Sequence, residues 1–138
     1  MPKPAAAPAH CDLDLRVRYA ECDPMGYAHH AAYPVWFEMG RTELLRQTGV
    51  RYRDIEEQGA FIVVIELNVR YRRPARYDDV LRLRTTLLKA GHVKLEHGYE
   101  LFRGEELLAT AATTLACVGR DGRPRGLPEA LMRAVEAI

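Results

Sequence analysis

The sequence predicts an α+β domain, with one long helix laid against a five-stranded, largely antiparallel sheet. Three observations carry this expectation. Helical apolar spacing occurs over one long stretch, in which Tyr33, Trp36, Phe37, Gly40 and Leu44 form a stripe. Five other stretches alternate or run apolar as strands do. The gaps between the last three of these, Lys89–His92 and Arg103–Glu105, are of hairpin length.

Taken in order, residues 1–10 read as a flexible tail ahead of a single domain over 11–138. Their apolar run is too short for a signal peptide. Residues 12–19 alternate strictly, with Leu13, Leu15, Val17 and Tyr19 facing one way and Asp12, Asp14, Arg16 and Arg18 the other. An Asp23-Pro24-Met25-Gly26 turn follows. Pro34 belongs in a first helical turn, where a missing N–H is tolerated, so the long helix should start near residues 30–32. Gly49 is a natural stop. Gly40 in mid-helix costs roughly 1 kcal/mol against Ala, which close packing against another backbone, here the sheet, would explain. Residues 51–59 form a short helical turn ending at Gly59. Phe61–Ile65 is a continuous apolar run that passes into alternation at Leu67, Val69 and Tyr71 and ends at Pro74. Strands are expected at Val80–Leu88, Val93–Phe102 and Leu107–Val118. The small residues of the last (Ala109, Ala111, Ala112, Thr113, Thr114, Ala116) suggest a strand closely covered by a helix. A short amphipathic helix over Leu127–Ile138 closes the chain. One helix cannot cover both faces of such a sheet, and its edges need protection, so copies are expected to pair.

Composition narrows the function. A net charge of +1 gives no case for nucleic acid or membrane as a partner. No segment approaches the ~18 apolar residues that span a bilayer. Three cysteines, Cys11, Cys22 and Cys117, show neither CxxC spacing nor a disulfide framework, so a cytoplasmic, reduced protein is expected. Only Lys3, Lys89 and Lys94 among the 20 basic residues are lysines. The arginine forks suit anions, and a GC-rich genome gives the same bias.

Chemistry concentrates between Tyr19 and Arg46. Asp23 precedes a helix whose first N–H groups lack intrahelical partners and can hold developing negative charge. The alternative reading is that the same Asp stabilises its turn or caps the helix. His29 and His30 are adjacent, so on a helix they point about 100° apart and do not jointly hold a metal. Glu38 and Arg41, at i and i+3, should pair along the helix. Cys22 is a rival nucleophile without a paired base, and buried packing suits it better. His92 and His97 read as structural. Arg70, Arg72, Arg73 and Arg76 make a basic patch around Pro74, read either as an anion contact or as a charged strand edge that discourages aggregation.

The runs Tyr19-Ala-Glu-Cys-Asp23-Pro-Met-Gly26, His29-His30-Ala-Ala-Tyr33, Trp36-Phe37-Glu38 and Arg41-Thr-Glu43, with Val69-Arg-Tyr-Arg-Arg-Pro-Ala-Arg76 and Asp78-Asp79, resemble the hotdog-fold acyl-CoA thioesterases of the 4-hydroxybenzoyl-CoA thioesterase-like branch. The D-x-x-G-x-x-x-H-x-x-Y spacing in a β–α context carries most of the likeness. The resemblance implies a helix wrapped by the sheet and a homodimer or homotetramer whose subunits join their sheets, with active sites at the interface. It implies hydrolysis of acyl-CoA without metal or cofactor. Asp23 would be the catalytic nucleophile or general base, and the backbone N–H of His30 the oxyanion donor, a contact typically worth ~3 kcal/mol. Gly26, Tyr27 and Tyr33 would line the substrate pocket, and Arg72, Arg73 and Lys94 would meet the phosphates of coenzyme A. Tyr27-Ala28 stands where small branched residues are common, and Cys22 where Thr is frequent. A non-catalytic acyl-CoA binder, an acyl-carrier-protein thioesterase and a hydratase are the alternatives.

Overall fold

In the computed structural model, which describes residues 10–137, five strands form one antiparallel sheet. They are β1 (His10–Arg16), β2 (Phe61–Tyr71), β3 (Val80–Ala90), β4 (Lys94–Arg103) and β5 (Glu106–Val118). The order across the sheet is β1-β3-β4-β5-β2, so β1 and β2 are its two edges. The helices are α1 (Tyr33–Arg46), α2 (Tyr52–Glu57) and α3 (Glu129–Ala137). Of the stretch expected as a tail, residues 1–9 lie outside the described residues, as does Ile138, while His10 opens β1.

The register sorts the side chains by face. Leu13, Leu83, Leu101, Ala109 and Tyr71 form one lateral row, and Cys11, Thr85, Tyr99, Ala111 and Val69 the next. Both rows lie on the face that α1 covers. There Tyr33, Trp36 and Phe37 bury themselves among Leu81, Leu83, Tyr99 and Leu101. A second cluster joins Leu45 and Ile55 to Leu95, Leu115, Cys117, Leu127 and Leu131, where α2 and α3 close the end of the layer.

Gly40 is where the helix touches the sheet. A Cβ added there would stand 2.2 Å from the Thr85 Oγ1 and 2.8 Å from Leu83 Cδ2. Gly40→Ala should therefore destabilise the fold by about 1–3 kcal/mol, because overpacking outweighs the ~1 kcal/mol of helix propensity gained. Urea unfolding of the two proteins, at unchanged slope, checks this.

The structure departs from expectation in several places. The first strand ends at Arg16, and Tyr19 is 81% exposed instead of lying on the buried face. A 3-10 turn at Tyr19–Glu21 breaks the alternation, because the Glu21 carboxylate accepts the Arg18 N–H at 2.8 Å and closes the chain on itself. Within the apolar run of β2 the register slips between Val64 and Glu66, a bulge at Ile65. The helix α1 packs chiefly on β3 and β1, and of the small residues of β5 Ala109 and Ala111 join its core cluster. Leu127 is buried but precedes α3.

The sheet leaves β2 bare. Val63, Val64, Ile65, Leu67 and Tyr71 are all between 38% and 51% exposed. An open edge carrying apolar side chains on both faces is a template for pairing.

Candidate active site

The approach to α1 is a tight hairpin. Cys22 pairs with Ala28, and Tyr27 with Arg76. Gly26 takes the positive φ of +79° that its turn requires. Asp23 closes this hairpin twice over. Its N–H donates to the Tyr27 carbonyl at 2.8 Å, and its Oδ1 accepts the N–H groups of Met25 at 2.9 Å and Tyr27 at 3.1 Å. Its Oδ2 makes no hydrogen bond among the described residues. The turn-stabilising role is thus real and occupies one carboxylate oxygen only.

Further hydrogen bonds fix the hairpin to its surroundings. The Ala28 N–H donates to the Ala75 carbonyl at 2.8 Å and the Tyr77 N–H to that of Gly26 at 2.9 Å. Glu21, to which the sequence reading gave no role, accepts the Trp36 indole N–H at 2.7 Å, and its carbonyl accepts the His29 N–H, also at 2.7 Å. Partial burial works to raise its pKa. The hydrogen bonds from Arg18 and Trp36 outweigh that and hold the carboxyl below its ordinary range.

At the head of α1 the donors are shared out unequally. His29 Nδ1 accepts the Ala31 N–H at 3.1 Å and the His29 carbonyl accepts that of Ala32 at 2.9 Å. The N–H of His30 makes no hydrogen bond among the described residues, and it opens a 3-10 turn, His30–Ala32, that leads into the 14-residue α1. The hydroxyl of Tyr71 donates to the His30 carbonyl at 3.0 Å, and its ring meets Tyr33 edge-on at 4.8 Å. Burial raises the pKa of both tyrosines, so their hydroxyls stay protonated.

These groups line a cleft of about 290 Å³ formed by Ala28, His30, Tyr33, Tyr71, Arg72, Arg73 and Pro74. Of the expected site residues it gathers His30, Tyr33, Arg72 and Arg73. Asp23, Gly26 and Tyr27 sit on the adjoining hairpin, and Tyr27 lies under the Arg76 guanidinium at 5.5 Å. Lys94 is elsewhere, beside a hollow of about 310 Å³ with His92 and Glu96 at the β3–β4 turn. A larger hollow of about 630 Å³ lies between Gly59 and the Gly119–Arg125 turn, lined by arginines and Asp121.

Another cleft, about 350 Å³, opens beyond the other end of the exposed β2 stretch, lined by Glu38, Arg41, Thr42, Tyr52, Glu56 and Ile62. The expected Glu38–Arg41 pair is not among the ion pairs. Arg41 instead turns inward, toward Tyr52, Tyr99 and His97, whose titration it influences. Cys22 is half-buried, its Sγ facing the Arg18 carbonyl at 3.5 Å. Desolvation, then Asp23 and Glu21, raise its pKa, the reverse of what a thiolate nucleophile needs. Among the described residues no group of three His, Cys, Asp or Glu is placed to hold a metal ion.

A carboxylate on a hairpin adjoining a cleft that holds the uncommitted N–H of His30 and is rimmed by arginines is a set of groups suited to acyl transfer from an anionic carrier. The chain belongs to the Thioesterase-like superfamily, whose family model matches residues 17–135. It is 30% identical over 120 residues to the acyl-CoA thioester hydrolase YbgC of Escherichia coli, covering 86% of this chain and 90% of that one. The Haemophilus influenzae acyl-CoA thioesterase YbgC is 32% identical over 105 residues, covering 75% and 77%. Among solved structures, the DHNA-CoA thioesterase of Staphylococcus aureus superposes with a TM-score of 0.86 at 30% identity, over 93% of this chain and 91% of that one. The 4-hydroxybenzoyl-CoA thioesterase structure, at 18% identity and a TM-score of 0.82, shares the hotdog fold.

Proposed function

We propose that the protein hydrolyses acyl-CoA thioesters to the free acid and coenzyme A. Family membership supplies the reaction class, and the observation that carries the site is the unengaged N–H of His30 at the cleft. The thioester carbonyl oxygen, as it becomes an oxyanion, takes that N–H. That peptide is held through its own carbonyl, the His29 C=O, which accepts the Ala32 N–H, and the next one is held by Tyr71 on the His30 carbonyl. Asp23 acts through its uncommitted Oδ2, by one of two balanced routes. As nucleophile it expels the coenzyme A thiolate and leaves a mixed anhydride that water cleaves. As base it takes a proton from the water that attacks. The thiolate leaves readily, so no strong acid is needed.

Gly26, Tyr27 and Tyr33 border the acyl position, and Arg72 and Arg73 bind phosphate oxygens of coenzyme A. The working unit is a homodimer, itself free to pair into a tetramer, joined along the open β2 edge. Lys94 lies opposite Ala116, toward the Phe61 end of β2 and away from Arg72 and Arg73 of its own chain. Free thiols at Cys11, Cys22 and Cys117 suit a reducing cytoplasm.

The test is incubation with a panel of acyl-CoA and acyl-carrier-protein thioesters while free thiol is followed. Thiol release from acyl-CoA is expected. Binding without release would leave only an acyl-CoA binder, and loss of enoyl absorbance without release would mean a hydratase.

A further inference from the structure

Asp23 and the His30 N–H come from two different segments, and a third residue sets one against the other. Asp23 belongs to the hairpin closed by the Cys22–Ala28 bridge, and His30 to the 3-10 turn that leads into α1. The hydrogen bonds that carry this hairpin across the fold go to Ala75 and Tyr77, on the segment after β2. Among the described residues none of them reaches α1. Left to these bonds, the hairpin could shift along the helix and take Asp23 with it.

Glu21 closes that gap with three of its groups. Its carbonyl accepts the His29 N–H at 2.7 Å, at the peptide just before the one that offers the oxyanion donor. Its Oε2 accepts the indole N–H of Trp36 at 2.7 Å, one turn inside α1. Its Oε1 accepts the Arg18 N–H at 2.8 Å, past the end of β1. Trp36 is 1% exposed and its ring meets that of Tyr33 at 4.8 Å, so the indole is a fixed point of the core. The Glu21 side chain is itself only 9% exposed, with the Arg18 guanidinium at 3.4 Å as its countercharge. A carboxylate accepts from two separate donors on two oxygens at once, and bonds to an ionised acceptor are the stronger kind.

We propose that Glu21 is a positioning residue of the reaction: through Trp36 and Arg18 it locks the strand that bears Asp23 to the head of α1, and so fixes the carboxylate against the His30 N–H. The inference rests on the thioesterase reading and deepens it. Glu21 touches no substrate atom. Both of its oxygens are engaged, so it neither attacks the thioester nor takes a proton from water. It acts through alignment, to which the chemical step is sensitive on the scale of an ångström. The grip of the arginine rim on coenzyme A does not pass through it.

The test uses acetyl-, octanoyl-, palmitoyl- and benzoyl-CoA, with the fastest of the four as probe and rates taken per folded chain. Glu21→Gln keeps the volume, but its amide accepts from one of the two donors and turns an NH2 group toward the other. Its kcat should fall about 10- to 100-fold while KM stays within about 2-fold of the wild type. Trp36→Phe cuts the same link from the helix side, leaves the carboxylate on Arg18, and carries the test should Glu21→Gln not fold. The double variant should lose about as much kcat as the worse single, where independent effects would multiply. A spectroscopic readout separates alignment from folding. In the slow Asp23→Asn chain the C=O stretch of the bound probe can be recorded by infrared, and the His30 N–H should draw it to lower frequency. Adding Glu21→Gln should undo about half of that displacement or more while the probe stays bound. Wild-type kcat in Glu21→Gln or Trp36→Phe, or a loss that lies wholly in KM, overturns the inference. So do multiplied losses in the double variant, or a C=O band that Glu21→Gln leaves in place. No thiol release by the wild type from any of the four brings down the thioesterase reading itself, and the inference with it.

Discussion

Asp23→Asn is expected to lower thiol release from the best acyl-CoA by about 10²- to 10⁴-fold while leaving the melting temperature essentially unchanged. The two oxygens of the carboxylate make this separation possible. Oδ1 accepts from the N–H groups of Met25 and Tyr27 and holds the hairpin; Oδ2 is uncommitted among the described residues. An asparagine carbonyl takes over the first task, since Asn suits such turns as well as Asp does. Its amide nitrogen cannot attack a thioester or accept a proton from water, so the second task is lost. Asp23→Ala removes both and should add a stability loss of about 1–2 kcal/mol from the unmatched turn N–H groups. Steady-state thiol release and thermal melting of the two variants check the pair of outcomes. If Asn and Ala lose equal activity and only Ala melts earlier, the carboxylate acts on the substrate and the turn role is separate. If Asn keeps full activity, Asp23 is a turn residue alone.

Local pattern was enough to read the elements and most of the helix–sheet contact. The stripe from Tyr33 to Leu44 sets the buried face of α1, and Gly40 is the point of contact with Thr85 and Leu83 because only a missing side chain fits there. The hairpins of β3, β4 and β5 follow from their short connections. What periodicity missed was competition for the backbone and the order of strands across the sheet. Tyr19 continued an alternation that the Glu21 carboxylate interrupts by capping Arg18. Arg41 had a glutamate at helical spacing, yet it turns to the recess of Tyr52, Tyr99 and His97. The site was half legible. Asp23, His30 and Tyr33 announce themselves by spacing, and Arg72 and Arg73 by density. Tyr71 did not, because its place in the cleft depends on β2 pairing with β5 so that its last residue lies beside the head of α1. No short-range pattern encodes that, although a tyrosine directly ahead of an Arg-Arg-Pro run was a signal available to be used.

His97 should make the protein lose up to about 3 kcal/mol of stability between roughly pH 6.5 and pH 4, and His97→Leu should abolish that part of the loss. The imidazole is 4% exposed on the covered face of β4, with Tyr99 stacked at 6.4 Å, and its Nδ1 has no hydrogen-bond partner among the described residues. Burial, and then the Arg41 guanidinium, push its pKa down from 6.5 to about 4. In that interval the unfolded chain binds a proton that the native chain refuses. Stability therefore rises with pH there, is complete above pH 6.5, and drains away as the pH falls toward 4. Glu21, whose folded pKa is lowered, contributes in the same direction but in a lower window, as the pH falls below the ordinary carboxylate range. Urea midpoints of both proteins at pH 7, 5.5, 4.5 and 3.5 resolve the two windows. Leucine at position 97 packs against Leu44, Leu45, Leu87 and Leu95 and carries no proton, so its curve should stay flat to pH 4.5 and cross above the wild type on the acid side. Parallel curves would mean that His97 finds a partner in solution and does not titrate at the lowered pKa. Arg41→Met supplies the cross-check. Without the neighbouring cation the imidazole protonates more readily, and the acid loss should shrink rather than move to higher pH at full size.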